Sequence, residues 1–272
     1  MPVPVISVAQ MREWERATWA AGQTEAAVIA QVGQIVARRV LDLTRDNDLV
    51  LLLAGKGHNG DDARAAHPCL PGRRVTLLDI IDPAAAHSKV AEALRSRPAL
   101  VVDGLFGIGL DRPLGEEWQK LIGLVNDSGA RILAVDVPSG LDAESGEPRG
   151  AAIRADITLT VGAPKTGFLR SRATGFVGRL EVAPDIGLVT CPFSSEINWV
   201  LREDFSDFPP RRKPESHKGS YGHAGILAGS LGYHGAAVLT TRGAQRARPG
   251  LITVFTEDRV YSPVAAQLQA VM

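Results

Sequence analysis

Four short segments combine glycines with acidic, amide, hydroxyl or basic side chains, and each follows a run of aliphatic residues. They are GKGHNGDD at 55–62, VDGLFGIGLDRP at 102–113, VDVPSGLD at 135–142 and VGAPKTG at 161–167. Glycine lets a ligand approach the backbone closely, and a partly buried carboxylate at a strand end can be poised for proton transfer. Ligands of open α/β sheets bind at the carboxyl ends of the strands, so we expect the four segments to meet there.

Each segment also has a purely structural interpretation. The first fits neither the P-loop nor the GxGxxG pattern, so it could be a strand–helix turn in which Asp61 or Asp62 caps the helix. The glycines of the second are typical of ordinary turns, and Asp142 could cap a turn. Lys165 could pair with an acid or a phosphate, or it could equally be a solvated loop residue. A purely structural role fits Asp136 least well, because Asp136 ends an aliphatic strand, where its carboxylate should be half-buried.

The oxygen-bearing side chains of these segments could hold a cation. Asn59, Asp103, Asp136 and Ser139 lie at or just after the carboxyl ends of predicted strands, and His58 is the only nearby residue of a type that zinc would favour. Mg²⁺ would typically use carboxylates together with substrate phosphates. Amide, carboxylate, hydroxyl and carbonyl oxygens suit a weakly held, hard cation, and their chemistry does not separate Mg²⁺ from an alkali ion.

The elements that must position these residues alternate between strand and helix. After a helical region at 7–44, the predicted strands lie at 49–55, 74–80, 100–106, 131–138 and 156–162, with helices at 62–69, 84–97 and 114–127 and a late, edge-type strand at 179–187. The strands are continuously aliphatic, which is typical of a parallel sheet buried on both faces. The pattern predicts an α/β, doubly wound, Rossmann-like and mostly parallel sheet with helices on both faces.

Two changes of pattern divide the remainder of the chain. Residues 1–190 form the first predicted domain, and 191–216, with Pro209, Pro210 and a basic cluster, are predicted to be a linker. Residues 217–272 hold a glycine-rich entry, a strand at 224–228, a helix at 235–247 and a strand at 251–256. A single βαβ unit cannot bury both faces of its strands, so this segment is expected to be the incomplete start of a second domain.

Composition excludes several classes of function. Lys and Arg together number 30, as do Asp and Glu, so the net charge is zero, and aromatic residues make up only 5%. Neither a nucleic-acid surface nor a membrane surface is therefore expected. Cys69 and Cys191 are too few for a disulfide framework, and no signal peptide or transmembrane run is expected, so we predict a cytoplasmic protein.

The order of the segments resembles the NAD(P)H-hydrate epimerases of the YjeF N-terminal family. GKGHNGDD resembles the family's GxGNNGGDG loop, VVDGLFGIGLDRPL its D-x-x-x-G-T-G-L stretch, VDVPSGLDAESG its D-I-P-S-G-L-D-x-x-x-G motif and ADITLTVGAPKTGF its A-D-x-T-x-T-x-x-x-x-K-x-G stretch. SVAQMREWERAT also resembles its opening helix, so the resemblance covers roughly residues 5–190. It implies a substrate, NAD(P)HX, that is NADH or NADPH hydrated at C6 of the nicotinamide ring, and interconversion of its R and S forms in cofactor repair.

The resemblance also implies roles for particular residues. Asp136 would contact the nicotinamide end and act as the acid/base, and Asn59, Asp103 and Ser139 would hold a potassium ion. The substrate would be lined by His58, Asn59, Gly60, Asp61, Asp62, Gly107, Ile108, Gly109, Leu110, Asp111, Arg112, Pro113 and Asp136. A homodimer is implied by family analogy alone.

A second resemblance concerns the end of the chain. Residues 217–254 are similar to the opening of the ADP/ATP-dependent NAD(P)H-hydrate dehydratase domain, which has a ribokinase-like fold. That domain's later G-T-G-D motif is not in this sequence, so we expect no dehydratase activity from this chain. ADP or ATP would be a cofactor only of a complete dehydratase domain.

Four residues depart from the epimerase pattern and leave other functions open. His58 replaces an asparagine, Asp61 and Ala63 replace glycines, and Ile108 replaces a threonine. A positive φ at position 61 would strain an aspartate. The alternatives are a non-catalytic nucleotide- or protein-binding module on the same fold and, from the C-terminal segment, a phosphoryl transferase; the missing catalytic motif argues against the latter.

Overall fold

The computed structural model describes residues 2–209 and 211–272 and divides the chain into two compact units, Met1–Leu201 and Arg202–Met272. In the first unit the strands are β1 (Val3–Pro4), β2 (Leu49–Ala54), β3 (Arg74–Asp79), β4 (Leu100–Gly104), β5 (Ile132–Val135), β6 (Ile157–Val161), β7 (Arg179–Ala183) and β8 (Asn198–Trp199). The helices are α1 (Val8–Ala20), α2 (Glu25–Leu43), α3 (His58–Ala66), α4 (Pro83–Arg95), α5 (Glu116–Asn126) and the short α6 (Thr174–Val177).

Six of the strands form one parallel sheet in the order β3-β2-β4-β5-β6-β7. The chain runs outward from β2 to β3 and then crosses to β4 on the other side of β2. The carboxyl ends of β2 and β4 therefore flank the point where the winding direction reverses, which is where ligands of doubly wound sheets bind. The predicted α/β class is confirmed, and β7 lies at the edge as predicted.

Both faces of the sheet are covered because alternate strand residues point to opposite sides. On one face Val50 and Leu52 pack with the apolar stripe of α2, which includes Val32 and Val36. On the other face Leu51 and Leu53 pack with the apolar faces of α4 and α5. The continuous aliphatic strands are thus buried on both sides, and only their ends are free to present functional groups.

The predicted helical region at 7–44 is two helices with side-chain caps. Ser7 caps α1 and forms a reciprocal capping box with Gln10, and the Thr24 hydroxyl accepts a hydrogen bond from Ala27 N–H at the start of α2. The predicted start of α3 at residue 62 is wrong. The helix begins at His58, so most of the glycine-rich segment is its first turn and not a loop.

Residues 191–201, part of the predicted linker, lie within the first unit and pack on its other residues. β8 pairs antiparallel with β1, and Phe193, Trp199 and Leu201 lie against the cluster that contains Val3 and Trp14. The remaining predicted boundaries stay predictions.

The second unit contains β9 (His223–Leu227), α7 (His234–Ala247), β10 (Leu251–Phe255) and α8 (Asp258–Ala265). β9 and β10 are parallel, as expected of a βαβ unit. Within the residues that the structure describes, no helix is both long and apolar enough to cross a membrane.

Candidate functional site

The carboxyl ends of β2, β4 and β5 bring three of the predicted segments together through close backbone contacts. A Cβ added at Gly60 would lie 2.1 Å from the Gly55 carbonyl oxygen, and one at Gly55 would lie 2.0 Å from the Leu105 carbonyl oxygen. A Cβ at Gly104 would lie 2.7 Å from that of Ala63. Glycines are therefore required here so that the first turn of α3 can pack directly on the ends of β2 and β4.

Asn59, Asp103 and Ser139 are buried and connected through the backbone of Phe106. Asn59 Nδ2 donates to the Phe106 carbonyl oxygen at 2.8 Å, and Phe106 N–H donates to Ser139 Oγ at 2.8 Å. Asp103 accepts from Ser139 N–H at 2.8 Å and from the Ser139 hydroxyl at 2.6 Å. The predicted cation ligands thus belong to one hydrogen-bonded cluster that is joined through Phe106.

Two features of this cluster fit a bound cation. Asn59 Oδ1 is buried and has no hydrogen-bond partner among the described residues. Asp103 is fully buried, and burial raises the pKa of its carboxyl to about 6, although hydrogen bonds from Ser139 and Leu105 oppose the shift. A cation would supply the missing partner of Asn59 Oδ1 and stabilise the ionised form of Asp103.

The ligands of this cluster are not of the type that binds transition metals. In the described part of the chain, no three His, Cys, Asp or Glu side chains are grouped so that they could hold a metal ion. The two cysteines, Cys69 and Cys191, are unpaired and partly buried.

Asp136 occupies a strained position directly after β5. Its φ is +59°, and a hydrogen bond of 2.7 Å from Val137 N–H to the Val135 carbonyl oxygen closes a three-residue turn around it. Positive φ is unusual for a residue other than glycine, and such strain concentrates at functional sites. The side chain is 7% exposed and accepts hydrogen bonds from Thr160 Oγ1 at 3.1 Å, from Val161 N–H at 3.2 Å and from Lys165 Nζ.

Two further carboxyl groups lie near Asp136. Burial, reinforced by the charges of Asp136, Asp61 and Glu15, raises the pKa of Asp62 to about 8. Burial also raises the pKa of Glu15 on α1; Asp136 adds to this shift and Lys165 opposes it. The site therefore holds a carboxylate beside a lysine and, at neutral pH, a buried carboxylic acid that retains its proton.

Other residues predicted to line the substrate either pair with charged side chains, are exposed or pack on apolar clusters. The exposed His58 ring contacts Glu25 at 3.1 Å, and Asp61 forms an ion pair with Arg64 at 2.8 Å. Asp61 has helical backbone angles, so the strain considered for a positive φ does not arise. Gly109, Asp111, Arg112 and Pro113 lie in an exposed segment, whereas Ile108 and Leu110 are partly buried against apolar clusters.

Sequence reasoning missed several participants. The Phe106 carbonyl is a backbone group and gives no sequence signal. For Lys165 the sequence allows pairing with an acid or a phosphate as well as a solvated loop position, and the structure shows the pairing with an acid, Asp136. Glu15 belongs to a helix that was assigned no role. Arg12, on the same helix, donates to the Ile108 carbonyl oxygen at 3.2 Å and so connects α1 to the 107–113 segment.

The sheet and its polar carboxyl edge define a Rossmann-like α/β protein with a candidate site at the winding reversal. The family described as YjeF-related protein N-terminus matches residues 78–167. The chain is 40% identical over 178 residues to an NAD(P)H-hydrate epimerase of Achromobacter xylosoxidans, covering 58% of this chain and 83% of the relative. The chain belongs to this NAD(P)H-hydrate epimerase family.

Longer relatives agree with this assignment, and a solved structure agrees with the fold. The bifunctional NAD(P)H-hydrate repair enzyme Nnr of Coxiella burnetii is 32% identical over 269 residues, which cover 91% of this chain and 55% of the relative. The enzyme of the same description from Gloeobacter violaceus is 33% identical, with 97% and 57% covered. The chain thus spans just over half the length of these relatives. The crystal structure of yeast ynu0 shares the fold, with a TM-score of 0.53, 18% identity and coverage of 66% of this chain and 87% of that one.

Proposed function

We propose that this chain interconverts the R and S forms of hydrated NADH and NADPH, as an epimerase of nicotinamide cofactor repair. Family membership supports the proposal. The observation that carries it is the position of Asp136, a strained and nearly buried carboxylate at the carboxyl edge of the sheet. Strain and burial at that edge are expected of a group that reacts, not of one that only stabilises the fold.

Inversion at C6 requires a bond at that carbon to break and to form again on the opposite face, whether by loss and return of water or by ring opening. Either route moves a proton at each stage. Asp136, with Lys165 beside it, suits the role of proton acceptor. Asp62, which keeps its proton at neutral pH, suits a hydrogen-bond donor to the same part of the substrate.

We also propose that the cluster at the ends of β4 and β5 holds a potassium ion. Asn59 Oδ1, Asp103, the Ser139 hydroxyl and the Phe106 carbonyl supply the oxygen ligands. The unpartnered Asn59 Oδ1 is the observation that supports this assignment. When bound, the ion would offset the buried charge of Asp103 and hold the backbone at Phe106 in place for the substrate-lining segment that follows.

The substrate would lie against residues 58–62 and 107–113. The first turn of α3 offers backbone N–H groups at a helix N-terminus, which favour anionic groups such as the cofactor's phosphates. The exposed 107–113 segment, connected to α1 through Arg12, would cover the opposite side.

Replacing Asp136 tests the proposed activity. The purified chain is given the R hydrate of NADH, and appearance of the S hydrate is followed by NMR. Asp136→Asn keeps the shape and tolerates the positive φ, and it is expected to reduce the rate roughly 100-fold or more because the proton acceptor is lost. Asp156→Asn is the control, because Asp156 accepts a hydrogen bond from Ile132 N–H at the amino ends of β5 and β6, the opposite edge of the sheet, and its replacement should leave the rate unchanged. Binding of the hydrate without epimerisation by the unmodified chain would contradict the proposal.

A further inference from the structure

Lys165 is the largest fully buried side chain among the described residues, with 0% exposure. Lysine is rarely buried completely unless its charge is paired. A hydrophobic side chain of similar length would fill the same space at lower cost in desolvation. A buried lysine at the edge of a functional site therefore needs an explanation beyond packing.

The three N–H groups of Lys165 all have acceptors. Nζ donates to Asp136 Oδ1, to Thr160 Oγ1 at 3.0 Å and to the Val161 carbonyl oxygen at 2.9 Å. Thr160 Oγ1 in turn donates to Asp136 Oδ1 at 3.1 Å. The ammonium, the hydroxyl and the carboxylate thus form a closed triangle with no donor of the ammonium left for a ligand.

The two oxygens of Asp136 have different surroundings. Oδ1 receives all three hydrogen bonds to this side chain, from Lys165, Thr160 and the Val161 N–H. Oδ2 accepts none from any of the residues that the structure describes. A carboxylate that is held at one oxygen presents the other in a fixed direction.

The backbone around Lys165 is itself fixed by the N-terminal segment. Ile6 N–H donates to the Pro164 carbonyl oxygen at 3.0 Å, and Thr166 N–H donates to the Ile6 carbonyl oxygen at 2.9 Å. Ile6 is fully buried. Lys165 therefore approaches Asp136 from a rigid position and not from a mobile loop.

We propose that Lys165 is a positioning residue for the epimerase reaction, acting together with Thr160 to hold Oδ1 of Asp136 so that Oδ2 exchanges the proton with the substrate. Lys165 keeps its own three protons, since each is already shared with an acceptor. Its charge also offsets that of Asp136 in a site where Asp62 and Glu15 add further acidic groups. The proposal rests on the proposed epimerase function and identifies Oδ2 of Asp136 as the oxygen that exchanges the proton.

The test measures kcat and KM of the full chain for the R hydrate of NADH with Lys165→Met, which keeps the length of the side chain and removes the charge. We expect kcat to fall roughly 100-fold, as for loss of an effective general base, with KM changed less than about threefold. A kcat close to that of the unmodified chain, or a loss expressed entirely in KM, would overturn the proposal.

Thr160→Val and Thr158→Val form a matched pair of variants that leave the charge of the site unchanged. Both threonines are fully buried in β6, but Thr158 Oγ1 donates to the Val177 carbonyl oxygen and does not contact Asp136. We expect Thr160→Val to lower kcat roughly tenfold, by loss of one hydrogen bond to Oδ1, and Thr158→Val to leave it unchanged. Equal effects of the two threonine variants on kcat would contradict a positioning role through Asp136. This comparison remains informative even if Lys165→Met fails to fold.

Thermal unfolding provides a readout that does not depend on catalysis. Lys165→Met leaves a buried carboxylate without its cation, and Asp136→Asn leaves a buried ammonium without its anion, so each should lower Tm. The double variant should melt above both single variants, because neither charge then remains. A loss of Tm in the double variant equal to the sum of the two single losses would overturn the pairing of Lys165 with Asp136. Absence of epimerisation by the unmodified chain would instead refute the proposed function and leave the measured pairing in place.

Discussion

Asp103 lies near the end of β4 and Asp136 directly after the adjacent strand β5, but the two differ in how their charges are balanced. Asp136 has the Lys165 ammonium against one oxygen, whereas Asp103 is surrounded by neutral donors from Ser139 and Leu105. A buried carboxylate with only neutral partners needs either a proton or a cation. At the scale of single residues, this difference matches the two proposed roles, proton transfer at Asp136 and cation binding at Asp103.

The unpartnered Asn59 Oδ1 leads to a prediction about potassium. Raising KCl should increase Tm relative to choline chloride at the same ionic strength, because a ligand bound only by the folded state stabilises it by about 2.7 kcal/mol at 100 times its Kd. Asn59→Leu should remove this increment. Asn126→Leu is the control. The Asn126 side-chain amide forms hydrogen bonds with the backbone of Ala152 and Arg154, away from the site, so stability should fall while the increase in Tm with KCl remains. An increment that survives Asn59→Leu would refute the assigned ligand.

The buried carboxyl of Asp62 predicts the pH dependence of stability. Its pKa is about 8 in the folded chain against 3.8 ordinarily, so the folded state retains a proton that the unfolded state has lost between these values. This contribution to stability is complete below pH 3.8 and is lost as pH rises through 8. Asp62→Asn cannot ionise, so it should be more stable than the unmodified chain at pH 9, by on the order of a few kcal/mol.

The measurement is Tm from pH 5 to 9 for both proteins, with Asp61→Asn as the neighbouring control. Asp61 is partly exposed and paired with Arg64, so its replacement should change stability by less than about 1 kcal/mol, without the same pH trend. Parallel curves for Asp62→Asn and the unmodified chain would show that Asp62 is already ionised in the folded state.

At the scale of elements, the position of α3 decides the site. Its first turn places Asn59 against Phe106 and Asp62 near Asp136, and it can do so only because the helix lies directly on the ends of β2 and β4. Arg64 strengthens this contact by donating to the Gly55 carbonyl oxygen at 2.6 Å. A cavity of about 620 Å³ lies elsewhere in the first unit, between α2 and β7.

Gly60→Ala tests this close packing. The new Cβ would lie 2.1 Å from the Gly55 carbonyl oxygen, so α3 must shift, and overpacking of this kind costs about 1–3 kcal/mol. Gly57→Ala is the matched control, because its Cβ would meet nothing within 4 Å and its φ is −97°. Chemical denaturation should show a clear loss of unfolding free energy for Gly60→Ala and a change within about 1 kcal/mol for Gly57→Ala. Similar values for the two would contradict the packing described.

At the scale of the whole chain, the first unit contains every residue of the candidate site. It extends to Leu201, and residues beyond 190 contribute to its packing: Phe193 and Trp199 lie against the cluster that contains Val3 and Trp14. The absence of dehydratase activity, expected from the sequence, stays a prediction, as does the homodimer.

Truncation at two positions tests this organisation. A chain of residues 1–201 is expected to fold and to retain the epimerase rate of the full chain. Residues 1–190 should be less stable, because removal of β8, Phe193 and Trp199 exposes Val3 and Trp14. Circular dichroism melts and the NMR assay compare the two. Equal stability would mean that residues 191–201 contribute nothing to the first unit.

The sequence by itself determined the sheet, its helices and the edge at which the chemistry lies. Aliphatic runs, glycines and helix caps act on neighbouring residues, so Val50–Leu53 and Ser7 specify their own elements. Even here one boundary was wrong: α3 begins at His58, because its packing on β2 and β4 outweighs the weak local preference for helix of HNGDD.

Only the tertiary structure decided which side chains act together. Lys165 and Asp136 are 29 residues apart, Ser139 and Asp103 are 36 apart, and Asn59 and Phe106 are 47 apart. Their contacts depend on strand order and register, which single-residue types do not encode. The burial that raises the pKa of Asp62 and leaves Asn59 Oδ1 without a partner likewise arises only when α3 closes onto the sheet.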